Sequence, residues 1–218
     1  MKSSLLTKTI LVFGATLGWF AVVGQFILIL QNRALSVPGT IVQFFSYFTI
    51  LTNIIAALCY SFLLINHGDD RQRFWKSPGT QAGIAVYILV VGVVYNLVLR
   101  FLWAPTGMQK VIDELLHTVS PAWFLMYWIL CAPKAGLKWR HSLSWLLYPF
   151  IYLIYIMVRG AFTDIYPYPF LDAYNHGYPK VIMSSLAILG LFLFLSLVFI
   201  GIAKKYQPLR GTAGITEE

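Results

Sequence analysis

Long runs of apolar residues, separated by short polar connections, dominate this chain. An α-helix needs about 20 mostly apolar residues to cross a bilayer, so the pattern predicts six spans, at residues 9–30, 42–65, 83–103, 111–130, 143–158 and 181–202. The runs do not alternate between polar and apolar positions, so they do not fit the strands of a membrane barrel. The predicted fold is all-α, a polytopic bundle of six transmembrane helices in residues 1–205, with a flexible tail at 206–218.

The distribution of charge predicts an orientation for this bundle. The chain of 218 residues is 59% hydrophobic and 11% charged, with a formal net charge of +8. Most basic residues fall at the N-terminus, in two of the loops and in the tail: Lys2, Lys8, Arg71, Arg73, Lys76, Lys134, Lys138, Arg140, Lys204, Lys205 and Arg210. Because cytoplasmic segments are enriched in Lys and Arg, both termini are predicted to be cytoplasmic. The positive charge then contacts anionic membrane lipids, and no nucleic-acid partner is predicted.

The first apolar run is predicted to remain in the protein as a helix. Its length of about 22 residues exceeds the roughly 7–15 apolar residues of a signal peptide. Gly14 and Gly18 form a small-xxx-small pair on it, which favours close packing against another helix. Cys59 and Cys131 belong to no metal-binding motif, and a reducing cytosol disfavours a disulfide between them. Neither a metal nor an organic cofactor is predicted.

The fourth run contains a histidine one helical turn after an acid, in the sequence DELLHT at residues 113–118. Residues four apart lie on one helix face, so Asp113 and His117 are predicted to touch. An ionisable residue in a membrane span is costly to bury and is commonly functional, although a histidine that caps or packs at a helix end fits the same pattern. Pro121 cannot donate to the carbonyl of His117, so a kink that frees this carbonyl and re-aims the side chain is one expectation, and the ordinary irregularity of a membrane helix is the other.

Polar and charged residues concentrate in the outer half of the predicted bundle: Thr49, Asn96, Arg100, Asp113, Glu114, His117, Arg159 and Asp164. At a rise of about 1.5 Å per residue, Thr49 and His117 each lie roughly 10 Å below the outer surface. This asymmetry predicts a pocket that opens towards the outer leaflet or the outside. For each arginine, snorkelling of the side chain to the lipid headgroups is the alternative interpretation.

A threonine and a histidine at matched depth can supply the parts of an ester hydrolase. A threonine hydroxyl becomes a nucleophile when a base removes its proton. His117 can be that base, and Asp113 can orient the imidazole ring and stabilise its charged form. Threonines in membrane helices commonly bond to their own backbone, which is the competing role for Thr49.

Other polar residues can bind the substrate. The side chains of Asn53 and Asn96, or a backbone amide, can donate hydrogen bonds to an oxyanion, and the sequence does not choose among them. Arg100 or Arg159 can hold a carboxylate at the membrane surface.

Three short motifs follow one another along the chain: SYFTILTN at 46–53, DELLHT at 113–118 and YPYPFLD at 166–172. In this order they resemble the androgen-induced membrane-protein family, and most nearly its bacterial six-span relatives. The resemblance implies an intramembrane threonine hydrolase of fatty acid esters of hydroxy fatty acids, in a bacterial plasma membrane. It assigns the nucleophile to Thr49, or to Thr52 if the register slips by three, and the catalytic histidine to His117.

The predicted function is therefore hydrolysis of a lipid ester that enters from the outer leaflet, with catalytic residues Thr49, His117 and Asp113. Membrane lipids and the ester substrate are the predicted partners. The alternative is a transporter of protons or small molecules, or a lipid-binding protein without catalysis, because buried ionisable residues also mark transport paths. Against transport, the charged positions do not continue to the cytoplasmic side, and neither an inverted repeat nor a pair of broken helices is visible.

Overall fold

Helices joined by short connections make up the structure, a computed structural model that describes residues 5–65 and 70–205. Ten α-helices occur in this part of the chain: α1 (Leu5–Gln31), α2 (Val37–Phe45), α3 (Phe48–Leu64), α4 (Asp70–Lys76), α5 (Pro78–Leu97), α6 (Gly107–Glu114), α7 (Ser120–Leu130), α8 (His141–Thr163), α9 (Ala173–His176) and α10 (Tyr178–Lys205). A π-helical turn at Leu115–Val119 joins α6 to α7. The tail predicted at 206–218 lies outside the described residues.

The predicted all-α fold is confirmed, since residues 5–65 and 70–205 contain no strand. Four helices are long and apolar enough to cross a bilayer, namely α1, α5 with the short 3-10 turn after it, α8 and α10. A fifth span results if α2 and α3, whose axes differ by 70°, are counted as one. That the chain has six spans, and that both termini are cytoplasmic, stays a prediction.

The second apolar run is not the single helix that its pattern predicts, because α2 and α3 meet at a sharp bend. Peptide groups at such a break need partners, since the membrane interior offers no water to bond them. Tyrosine hydroxyls supply two of these partners. Tyr152 donates to the Ser46 carbonyl at 2.9 Å, and Tyr168 accepts from the Thr49 amide at 3.3 Å. Both tyrosines come from distant segments, so the local pattern of the run could not reveal them.

The α-helical geometry of the fourth predicted span is also interrupted, by the π turn between α6 and α7, although the three elements follow one another without a gap from Gly107 to Leu130. The 8 residues of α6 and the 11 residues of α7 are each too few to cross a bilayer. Pro121, at the start of α7, lacks the N–H that would bond to the His117 carbonyl. That carbonyl instead accepts from Nδ2 of Asn96 at 3.4 Å. The kink expected at Pro121 stays a prediction, and the His117 carbonyl has a side-chain donor from α5.

Two glycines of α1 allow it to pack closely against α3, as the small-xxx-small pair predicts. A Cβ atom on Gly14 would lie 2.6 Å from the ring of Tyr60, and one on Gly18 would lie 3.0 Å from Cβ of Ala57. A larger residue at either position would force the two helices apart. Because α3 also packs against α5, and α5 against α7 and α10, both interrupted segments lie in the middle of the bundle.

Candidate functional site

Thr49 lies in the first turn of α3, directly after the bend. Its hydroxyl and its backbone amide are both 3.3 Å from the hydroxyl of Tyr168, which belongs to the connection between α8 and α10. Amides in the first turn of a helix have no intrahelical carbonyl to bond, and the helix dipole places partial positive charge there. The first turn of α3 therefore stabilises negative charge on an oxygen atom bound next to Thr49.

Tyr168 holds a hydroxyl group beside the Thr49 side chain. Its ring stacks on Phe170 at 5.2 Å between centroids and meets the edge of Tyr47 at 6.0 Å, so the ring is fixed. Burial raises the pKa of the Tyr168 phenol above its ordinary value, so the hydroxyl keeps its proton at neutral pH. The hydroxyl can accept from the Thr49 amide while it donates to the Thr49 Oγ1 or to another oxygen.

His117 lies in the middle of the π turn, and its Nδ1 atom is held by Asp113. This nitrogen is 2.9 Å from the Asp113 carbonyl oxygen and 3.3 Å from Oδ1 of the Asp113 carboxylate. Because a carbonyl oxygen can only accept, Nδ1 carries the proton and Nε2 is left as an acceptor. The predicted contact between Asp113 and His117 is confirmed. Turns of the π type occur frequently at functional sites.

Tyr95 of α5 completes the surroundings of His117. Its hydroxyl donates to Oδ2 of Asp113, and its ring stacks on the imidazole with centroids 4.1 Å apart and planes 15° apart. The guanidinium of Arg100 lies 5.1 Å from the centroid of the same tyrosine ring. The side chains of Asp113, Tyr95 and His117 thus form one bonded and stacked unit, in which rotation of the imidazole is restricted.

The side-chain amides of Asn53 and Asn96 bond to the backbone of the π turn. Nδ2 of Asn53 donates to the carbonyls of Thr49 and Leu116, at 2.9 and 3.2 Å. Nδ2 of Asn96 donates to the carbonyl of His117. The bonds to Leu116 and His117 give these carbonyls of the π turn a donor from a neighbouring helix. In this structure the two asparagines fix α3 and α5 to the π turn, so they position Thr49 and His117 relative to each other.

The sequence predicts that Arg100 or Arg159 holds a substrate carboxylate. In the structure both side chains bond to groups of the protein. Arg100 makes two hydrogen bonds to the Glu114 carboxylate, at 2.6 and 2.7 Å. Arg159 donates to the carbonyl of Ile165 and to the side-chain oxygen of Gln43, both at 2.8 Å. A bidentate pair between arginine and a carboxylate is among the strongest polar contacts in proteins. Arg100 therefore fixes the end of α5 against α6.

Two adjoining cavities meet at the residues described above. The first, called here the apolar cavity, has a volume of about 80 Å³ and lies among α3, α5, α8 and α10. The second, called the polar cavity, has a volume of about 350 Å³ and lies among α1, the first turn of α3, α6 and the connection at 164–177. Four residues line both cavities: Thr49, Leu99, His117 and Tyr168.

The two threonines that compete for the nucleophile occupy different surroundings. Thr49 lines both cavities together with His117. Thr52 is fully buried, its hydroxyl lies 3.3 Å from that of Tyr148, and it lines neither cavity. The structure thus brings Thr49, His117 and Asp113 together around one space and leaves Thr52 outside it.

Sequence reasoning assigns no role to Tyr95 or to the hydroxyl of Tyr168. The motif YPYPFLD marks the segment that contains Tyr168, but its partner Thr49 lies 119 residues earlier in the chain. Tyr95 lies in an apolar run, and its partner Asp113 is 18 residues away, beyond a loop. Only the tertiary structure shows these two contacts.

Comparisons of the chain with protein-family models, with curated proteins and with solved structures find no match. The resemblance to the androgen-induced membrane-protein family therefore stays a prediction that depends on three short motifs. What the site does has to be argued from its own geometry and chemistry.

Proposed function

We propose that this protein is an intramembrane hydrolase of fatty acid esters, with Thr49 as the nucleophile and His117 as the general base. The observation that carries the proposal is that both side chains line the same two cavities, one apolar and one polar. An ester has an apolar acyl part and a more polar alcohol part. With the acyl part in the apolar cavity and the alcohol part in the polar cavity, the ester bond lies between Thr49 and His117.

The proposed reaction has two stages. In the first, Oγ1 of Thr49 attacks the ester carbonyl carbon while Nε2 of His117 takes the hydroxyl proton. The tetrahedral intermediate then releases the alcohol, which receives that proton, and leaves an acyl group on Thr49. In the second stage, water attacks the acyl group with His117 again as the base, which frees the fatty acid and restores Thr49. The carboxylate of Asp113, next to Nδ1, stabilises the imidazolium formed in each stage.

The developing oxyanion has a donor close at hand. The hydroxyl of Tyr168, with its proton retained, lies at the Thr49 side of the cavities. Such a donor acts strongly in a low-dielectric site because it is already oriented before the charge forms. We assign the oxyanion to the Tyr168 hydroxyl, since the Thr49 amide bonds to that hydroxyl and the amides of Asn53 and Asn96 bond to the backbone.

The structure gives no hydrogen bond between Thr49 and His117 in the part of the chain that it describes. In unliganded enzymes the hydrogen bonds of the catalytic groups are often long and tighten when substrate binds. An ester carbonyl that enters between Tyr168 and His117 would displace the Tyr168 hydroxyl from Thr49 Oγ1. The threonine hydroxyl would then be free to turn towards Nε2 of His117.

The test is hydrolysis of fluorogenic acyl esters by detergent-purified protein. We expect Thr49→Ala and His117→Ala each to reduce kcat by about a thousandfold or more, as removal of a nucleophile or base does in hydrolases. Thr52→Ala is the matched control, because Thr52 lies outside both cavities, and it should retain activity. Full activity in Thr49→Ala, with folding matched by size exclusion and circular dichroism, would exclude Thr49 as the nucleophile.

A transporter is the second candidate, and the break between α2 and α3 favours it. Transport sites are commonly built where broken helices meet inside a membrane protein. Flux of protons into liposomes that requires His117 and does not require Thr49 would support transport over hydrolysis.

We also infer that the protein lies in a bacterial plasma membrane with both termini in the cytoplasm. The clustering of basic residues in alternate connections supports this orientation.

A further inference from the structure

We propose that the alcohol part of the substrate is uncharged and carries hydroxyl groups, as in an acylglycerol. This inference depends on the proposed function, because it concerns the group that the hydrolase releases. It follows from the chemistry of the polar cavity, whose volume of about 350 Å³ is within the range of small-molecule sites.

No Lys or Arg side chain lines either cavity in the described part of the chain. The polar cavity offers neutral hydrogen-bonding groups instead: Gln25, Tyr47, Tyr95, Trp103, Gln109 and Tyr168. Its acidic group is Asp113, which is buried. A carboxylate or phosphate in this cavity would lose its hydration next to Asp113 without gaining a cation, and that combination is strongly unfavourable.

The cations close to the site are held elsewhere. The guanidinium of Arg100 bonds to Glu114 through two nitrogens, and NH2 also donates to the Thr118 hydroxyl at 3.0 Å. Arg159 bonds to the Ile165 carbonyl and to a glutamine side chain. If Arg100 turned to a substrate carboxylate, it would leave the Glu114 carboxylate unpaired. In the proposed complex these arginines therefore keep their bonds within the protein, and the sequence's alternative, that they hold a substrate carboxylate, stays a prediction.

Two glutamines that line the polar cavity can bind hydroxyl groups of a substrate. Nε2 of Gln109 donates to Oε1 of Gln25 at 2.8 Å, which joins α6 to α1 across the polar cavity. The pair leaves Nε2 of Gln25 as a donor and Oε1 of Gln109 as an acceptor. A hydroxyl group both donates and accepts, so it can bond to the two amides at once. A glycerol unit, with two free hydroxyls, matches this arrangement without bringing charge.

The first experiment compares the octanoyl esters of lactamide and lactate, which have nearly the same shape and differ in charge. We expect kcat/KM for the lactamide ester to exceed that for the lactate ester by at least about a hundredfold, and octanoylglycerol to be hydrolysed at least as well. Equal rates for the two esters, or faster hydrolysis of the lactate ester, would overturn the inference.

A binding measurement separates this inference from the proposed hydrolysis. The octyl ethers of lactamide and lactate cannot be hydrolysed, and their dissociation constants are measured by calorimetry in detergent. Tighter binding of the lactamide ether supports the uncharged site even if no ester is hydrolysed, in which case the proposed function alone fails. Equal binding, or tighter binding of the lactate ether, overturns the inference whatever the hydrolysis results.

A charge placed in the polar cavity provides the third measurement. Gln109→Lys introduces a cation there, and we expect it to reduce the preference for the lactamide ether at least tenfold. Met108→Lys is the matched control, because Met108 lies on the same helix, is 60% exposed and does not line the cavity. An unchanged preference in a folded Gln109→Lys protein, or an equal change in Met108→Lys, would count against the inference.

Discussion

The interrupted segments, α2–α3 and α6–π–α7, differ from the continuous helices in how their backbones are satisfied. In α10, for example, the peptide groups bond along the helix, and the Ser196 hydroxyl only adds a bond to the Phe192 carbonyl of the same helix. At the interruptions, peptide groups bond to side chains from other parts of the chain, among them Asn53, Tyr152 and Tyr168. Because an unpaired peptide group costs several kcal/mol in a membrane, polar side chains collect where a helix breaks.

Stability and chemistry therefore depend on the same polar residues in this bundle. The groups that satisfy the broken backbone also fix the positions of Thr49 and His117. Substitutions at the interruptions should therefore disturb folding and activity together, whereas matched substitutions in the continuous helices should do neither.

The largest effect is expected for Asn53→Ala, which leaves the Thr49 and Leu116 carbonyls without the donor that joins them. A buried carbonyl that loses its partner costs about 1–3 kcal/mol, so we expect a decrease of about 2 kcal/mol in the free energy of unfolding in detergent. The control Ser196→Ala removes a buried hydroxyl from a continuous helix and should cost under about 1 kcal/mol. Equal losses in the two variants would contradict the comparison.

The next effect is expected for Gly92→Ala in α5, beside the π turn. A Cβ atom there would lie 3.0 Å from Pro121 and 3.3 Å from the His117 carbonyl oxygen. Overpacking of this kind costs about 1–3 kcal/mol, and we expect a value in the lower half of that range together with reduced ester hydrolysis. Gly190→Ala is the matched control, because a Cβ atom there meets no atom within 4 Å. A neutral Gly92→Ala would show that the π turn tolerates displacement.

The sequence was informative about the long helices and much less so about their interruptions. Apolar runs located α1, α5, α8 and α10, because a run long enough to cross a bilayer is a local property. The i,i+4 spacing located the contact of Asp113 with His117 for the same reason. The bend before Thr49 could not be predicted, since the tyrosine hydroxyls that stabilise it come from segments over a hundred residues away.

A smaller effect is expected for Tyr95→Phe, which removes the hydroxyl bonded to Asp113 and keeps the ring stacked on His117. We expect kcat for ester hydrolysis to fall about tenfold, equivalent to about 1.4 kcal/mol, because Asp113 is less well oriented. Tyr60→Phe is the control, since the buried Tyr60 hydroxyl has no hydrogen-bond partner in the described structure. It should leave activity and stability unchanged or slightly raised, and a tenfold loss of activity there would contradict the assignment.

The smallest effect is expected for Asp172→Ala, in the connection that brings Tyr168 to the bend. Asp172 caps α9, and bonds from the Asn175 amide and side chain lower the pKa of its carboxylate. A lowered pKa in the folded state means that the stabilisation is present above the unfolded value of about 4 and is lost as the pH falls. We expect Asp172→Ala to cost about half a kcal/mol at pH 7, because α9 is a single partly exposed turn. Unfolding measured at pH 7 and near pH 3 should show the difference from wild type shrinking in acid, and a difference that stays constant would mean that the charge of Asp172 does not support the segment holding Tyr168.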